Sequence, residues 1–117
     1  MSEQKENVID MDWRPEIVQD IILITDPEMA RILLHDDKKR ILTLLIQQDE
    51  MTIQELTNAT GINPGTIKRH IDDLIRNKLA FKSNQKRSEY NVKMKYYSAV
   101  AKKFAIDIHI PDNEMEN

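Results

Sequence analysis

The sequence predicts a mostly α domain with a small β-hairpin, and three observations carry that reading. Helix-start signals recur at Asp26-Pro27, Thr52-x-x-Glu55 and Asn63-Pro64. The apolar residues between these signals return at helical spacing. After residue 78 the period switches to two, with Leu79 and Phe81 and then Tyr90, Val92 and Met94 alternating with polar neighbours. A length of 117 residues fits one domain, and two glycines and four prolines are too few for a loop-rich or all-β architecture.

Taken in order, residues 1–12 are acidic, show little periodicity and read as a mobile tail. The domain proper spans 13–110. Its first segment, Trp13 to Ile24, is apolar and fits a helix or a strand equally well. A helix starts at Thr25-Asp26-Pro27-Glu28, with a capping residue, a proline in the first turn and an acid favoured by the helix dipole, and runs to about Leu34. His35 closes it, where a partly cationic ring would favour the dipole's negative end.

Asp36-Asp37 opens a second helix, ending near Gln48, whose Ile41, Leu42, Leu44, Leu45 and Ile46 form a wide stripe. A third helix begins at the capping box Thr52-Ile53-Gln54-Glu55, buries Ile53 and Leu56, and stops at Gly61. Asn63-Pro64 starts a fourth, over about 63–77, with Ile67, Ile71, Leu74 and Ile75 on one face. A hairpin follows over about 79–93, with Asn84 to Ser88 as its basic turn. A last helix is expected over 95–106, with Tyr97, Val100, Ala101 and Phe104 on one stripe, and an acidic tail over 111–117.

Composition narrows the chemistry. With no cysteine there is no disulfide, thiolate zinc site or thiol nucleophile. No apolar run approaches the roughly 20 residues that span a bilayer. The polar start, Met1 to Asn7, is not a secretory signal, so the chain reads as cytoplasmic. The net charge of −3 conceals a segregation: the balance is −7 over residues 1–60, +8 over 61–103 and −4 over 104–117.

Two short helices joined by a glycine turn, the second followed at once by a hairpin, describe a winged helix-turn-helix. Leu56 and Ile62 hold the first helix and the turn against Ile67, while Ile71 and Leu74 anchor the second helix. Its outer face is then free to enter a major groove. At 100° per residue Arg69 and Arg76 lie opposite the apolar face, Thr66 is also outward, and Lys68 and His70 flank it. The candidate duplex-DNA contacts are Asn63, Thr66, Lys68, Arg69 and His70 on the helix and Lys82, Lys86 and Arg87 on the hairpin. Arginine can grip guanine bidentately, and lysine more often neutralises phosphate. The alternative is a protein-interaction module, because Asp72 and Asp73 partly neutralise the basic face. The acidic ends could instead fold back over the basic stretch as an internal DNA mimic.

From Asp26 to Ile106 the sequence resembles the archaeal branch of the ArsR-type winged-helix transcription regulators. The matching residues are Asp26-Pro27-Glu28, Lys39-Arg40-Ile41-Leu42, Thr52-Ile53-x-Glu55-Leu56, Gly61 to Leu74, and Lys95-Tyr96-Tyr97-x-x-Val100-Ala101-x-x-Phe104. The resemblance implies a homodimeric DNA-binding regulator joined through terminal helices, which makes Tyr97, Val100, Ala101 and Phe104 the dimerisation candidates. The other reading of that stripe packs it on the chain's own Trp13–Ile24 segment. Lys78 stands where the family has glycine, so the junction between helix and hairpin is expected to take another backbone conformation. Metal-sensing members use cysteines or a carboxylate-and-histidine set. Here only Asp107-x-His109 remains of the second set, with Glu114 and Glu116 downstream, so no metal or other cofactor is expected. Nothing in the chain identifies a small-molecule effector. There is no glycine-rich phosphate loop and no serine with a histidine and an acid beside it, so no enzyme activity is expected.

Overall fold

The computed structural model describes residues 10–111. The order of elements is β1 (Ile22–Ile24), α1 (Pro27–Leu34), α2 (Asp36–Gln48), α3 (Ile53–Thr60), α4 (Pro64–Arg76), β2 (Ala80–Arg87), β3 (Lys93–Ala99) and β4 (Phe104–Ile106). Four helices and an antiparallel β2–β3 hairpin make a winged helix-turn-helix. A second, parallel pair joins β1 to β4.

The helices begin where their caps demand. The Asp26 carboxylate accepts from the Glu28 amide at 3.2 Å. Thr52 and Glu55 close a reciprocal capping box at 3.1 and 2.9 Å. Asn63 Oδ1 accepts from the Thr66 amide at 2.9 Å. Gly61 ends α3 in the left-handed region, with φ at 80°. His35 ends α1 and also caps α2, its Nδ1 accepting from the Lys38 amide at 3.4 Å. One residue thus serves both helix ends.

The core sits between α2, α3, α4 and the base of the hairpin, with Ile41, Leu45, Leu56, Ile67, Ile71 and Leu74 fully buried. Burying side chains of this size contributes about 1.5–3 kcal/mol each. Their positions leave the opposite face of α4 outward. The hairpin is tied to the helices by Met51 and Tyr97, whose amides and carbonyls exchange bonds of 3.0 and 2.9 Å.

Four expectations are corrected. The last helix over 95–106 is absent: Lys93–Ala99 and Phe104–Ile106 are strands. Tyr97, Val100, Ala101 and Phe104 fall at helical spacing because a buried strand end, a corner and a second strand follow one another. Tyr97, Val100 and Ala101 are at most 4% exposed, and Val100 and Ala101 pack with Phe81, Trp13, Ile22 and Phe104. The stripe expected to dimerise is spent inside this chain's own fold.

The hairpin is also longer than expected. Asn84 to Arg87 continue β2, and the turn comes at Ser88, whose Oγ accepts from the Tyr90 and Val92 amides at 3.2 Å each. Trp13–Ile24 resolves as an extended segment whose Ile22–Ile24 pairs with Phe104–Ile106, in the register Ile22↔Phe104. Residues 10–12, expected in a mobile tail, pack on the domain: Met11 lies against the core and Asp12 against Lys82. The remaining tail residues, 1–9 and 112–117, including Glu114 and Glu116, lie outside the described residues.

Lys78 supplies the fourth correction. It keeps the conformation glycine would take, with φ at 58°. The Leu79 amide donates to the Leu74 carbonyl at 2.8 Å and the Lys78 amide to Ile75 at 2.9 Å, which together close α4 in a Schellman motif.

Candidate nucleic-acid interface

The candidate surface has two walls, the outer side of α4 and one face of the hairpin. Helix α4 has no acid in its first turn, so its positive end is not neutralised there, although the Thr66 and Ile67 amides are taken up by Asn63. Gly65 keeps that turn slim: a Cβ there would stand 3.4 Å from Asn63 Oδ1. Asn63 itself is engaged as the cap. Arg69 is exposed, and its guanidinium donates to Thr66 Oγ1 at 3.2 Å, which aims the pair along the outer face. Lys68 pairs with Asp72 at 2.8 Å, one turn on, and faces the hairpin.

The strand register decides which lysines meet α4. Lys82 stands opposite Tyr97, Gln85 opposite Lys95 and Arg87 opposite Lys93. A bulge between Lys82 and Asn84 keeps all of these on one face. That face looks onto α4: Lys82, Lys95 and Tyr97 line a cleft with Lys68, Asp72 and Arg76, which continues past Lys93 toward Thr52 and Gln54.

Of the sequence candidates, the structure brings Lys68 and Lys82 together in the cleft, leaves Thr66 and Arg69 paired on the outer side of α4, and places Arg87 at the hairpin tip, where its guanidinium donates to the Asn91 carbonyl at 3.0 Å. Lys86 pairs with Met94 and projects from the other face, with its ammonium 3.5 Å from Glu50 and 4.7 Å from the Tyr96 ring centroid. His70 turns inward: its ring lies 5.0 Å from that of His35 and its Nε2 3.7 Å from Asp37, with the side chain 14% exposed. Burial first, then the Lys38 and His35 charges, hold its pKa below the ordinary 6.5, against the opposing pull of Asp37 and Asp73. A neutral, enclosed ring positions α4 against α2 and is not free to grip a phosphate.

Lys93 and Lys95 are the residues the sequence reading missed. Their signal was the alternation Lys93-Met94-Lys95, which in a strand puts both cations on one face. It was obscured by ending the hairpin before Lys95.

Asp107 and His109 pair with each other at 2.8 Å. Among the described residues no group of three or more His, Cys, Asp or Glu is placed to hold a metal, and no helix is long and apolar enough to cross a membrane.

Residues 36–79 match the family model described as winged helix-turn-helix DNA-binding. The match starts at the first residue of α2 and ends just before β2, so it covers the three helices that build and support the outer face of α4. Over these residues the sequence match and the fold agree on a winged helix-turn-helix. No curated protein matches the chain.

Proposed function

We propose that this chain is a sequence-specific, double-stranded-DNA-binding transcriptional regulator that works in the cytoplasm as a homodimer. The N-terminal half of α4 enters the major groove and the α4-facing side of the hairpin lies on the adjoining backbone. The observation that carries the reading is the lysine-lined cleft, with Lys68 on one wall and Lys82, Lys93 and Lys95 on the other. Duplex DNA presents a groove that admits a helix and, beside it, phosphates that a row of lysines can neutralise. Arg69 and Thr66 then read base edges, and the hairpin cations fix register without reading sequence.

Support for a twofold partner comes from the β1–β4 ribbon rather than from the stripe at Tyr97. Ile21 and Leu23, 50% and 58% exposed, share its outer face with Ala105. A parallel pair of strands is ordinarily covered on both faces, and a second copy would cover this one. Two copies would read half-sites about 34 Å apart, or a multiple of that.

Arginine 69 and lysine 95 separate the two roles. Arg69→Ala is expected to cost about 1–3 kcal/mol on a selected duplex and little on random DNA. Lys95→Ala is expected to weaken both alike and to lower the salt slope by about 1. Identical behaviour of the two variants on both duplexes would contradict the assignment.

A further inference from the structure

We infer that Asp12 occupies a backbone-phosphate position of the DNA-binding cleft, so that the segment Asp10–Arg14 is a built-in competitor of DNA. This rests on the reading of that cleft as the duplex-binding surface. The Asp12 carboxylate meets Lys82 Nζ at 2.7 Å, in a cleft it shares with Lys68, Arg76 and Lys95. One negative oxygen held by a lysine at the foot of the wing is the contact that a phosphodiester oxygen makes with a lysine.

The segment is fixed in place, so the contact is not that of a drifting tail. The Asp12 amide donates to Asp10 Oδ1 at 2.9 Å and the Trp13 amide to the Asp10 carbonyl at 3.2 Å, which makes a tight turn that presents the Asp12 side chain. Trp13 anchors the turn. It packs with Phe81, Val100 and Ala101, and Lys78 Nζ lies 5.2 Å from its ring centroid. Arg14 lies over the Phe81 ring at 5.7 Å.

The asymmetry of exposure suits a displaceable clasp. The Lys82 side chain is 26% exposed, whereas that of Asp12 is 76% exposed. The acid can therefore swing into solvent while Trp13 stays seated, and the lysine it leaves is already oriented toward the cleft. Lys82, and more weakly Lys95, hold the Asp12 carboxyl below its usual range, so the clasp stays charged at any pH at which the protein would meet DNA.

Binding of the full-length chain to a random duplex of about 30 base pairs, between roughly 50 and 200 mM salt, tests this by fluorescence anisotropy. Asp12→Asn is expected to bind roughly 3- to 10-fold tighter, with a salt slope steeper by about 1, because one more lysine becomes available to phosphate. Glu16→Gln makes the same change of net charge two residues beyond the segment, and is expected to match the unmodified chain. In a Lys82→Gln background, Asp12→Asn is expected to change nothing. Equal binding by the unmodified chain and Asp12→Asn, or the same gain from Glu16→Gln, would overturn the competitor and leave the DNA reading standing. Absence of binding by all of them at low salt would overturn both.

Discussion

His70 sits on the helix proposed to read DNA, yet its ring is enclosed between α4 and the start of α2, and this has a consequence for stability. Its pKa is held below 6.5 in the fold, so on acidification the unfolded chain takes up the proton first. The contribution of the neutral ring is complete well above pH 6.5 and declines as the pH falls through 6.5 toward the folded-state value. Denaturant midpoints measured at stepped pH are expected to fall over that window, and His70→Asn is expected to flatten that part of the profile. A profile unchanged by the substitution would show that the ring is not the titrating group. Lys78 carries backbone strain, with φ at 58°. A lysine in the left-handed region is strained where glycine is not, so Lys78→Gly is expected to stabilise the fold by about 0.5–1 kcal/mol despite losing the contact with Trp13. Thermal unfolding checks the sign.

The helices were legible because their determinants are local. Asp26, Thr52 with Glu55, Gly61 and Asn63 each act on amides or carbonyls within a few residues, and each does in the fold what its position predicted. The apolar periodicity of α4 likewise marked Ile67, Ile71, Leu74 and Ile75, all of them buried. Ile71→Ala is accordingly expected to cost about 2–5 kcal/mol, read from the denaturant midpoint, since its site is closed on every side. The strands after residue 94 were not legible, because their pairing is tertiary. Tyr97 is extended through its bonds to Met51, and Phe104 through its pairing with Ile22, a partner 82 positions earlier. Nothing within a few residues of either reveals those partners, and a wholly buried run fits a helical stripe as well as a strand. The same error hid half of the cleft. Once β3 is a strand, Lys93 and Lys95 join Lys82 on one face, and Lys86 moves to the other.

At the scale of the whole molecule, charge segregation takes a spatial form. The +8 stretch supplies both walls of the cleft, α4 and the hairpin, while acids from the first half reach back to Lys82 through Asp12 and to Lys86 through Glu50. The exposed outer face of the β1–β4 ribbon gives the molecule a second surface. Leu23→Glu is expected to convert a dimer to a monomer in analytical ultracentrifugation while leaving the circular dichroism spectrum unchanged. A dimer that survives the substitution would place its interface elsewhere. On the proposed function, the cleft between α4 and the hairpin holds the phosphates of duplex DNA. Its most direct test is the affinity of the unmodified chain for random-sequence duplex as salt is raised. Micromolar binding that weakens steeply is expected, with a slope reporting several neutralised phosphates and falling by about 1 for Lys95→Ala. Binding that ignores salt, or none even at low salt, would contradict it.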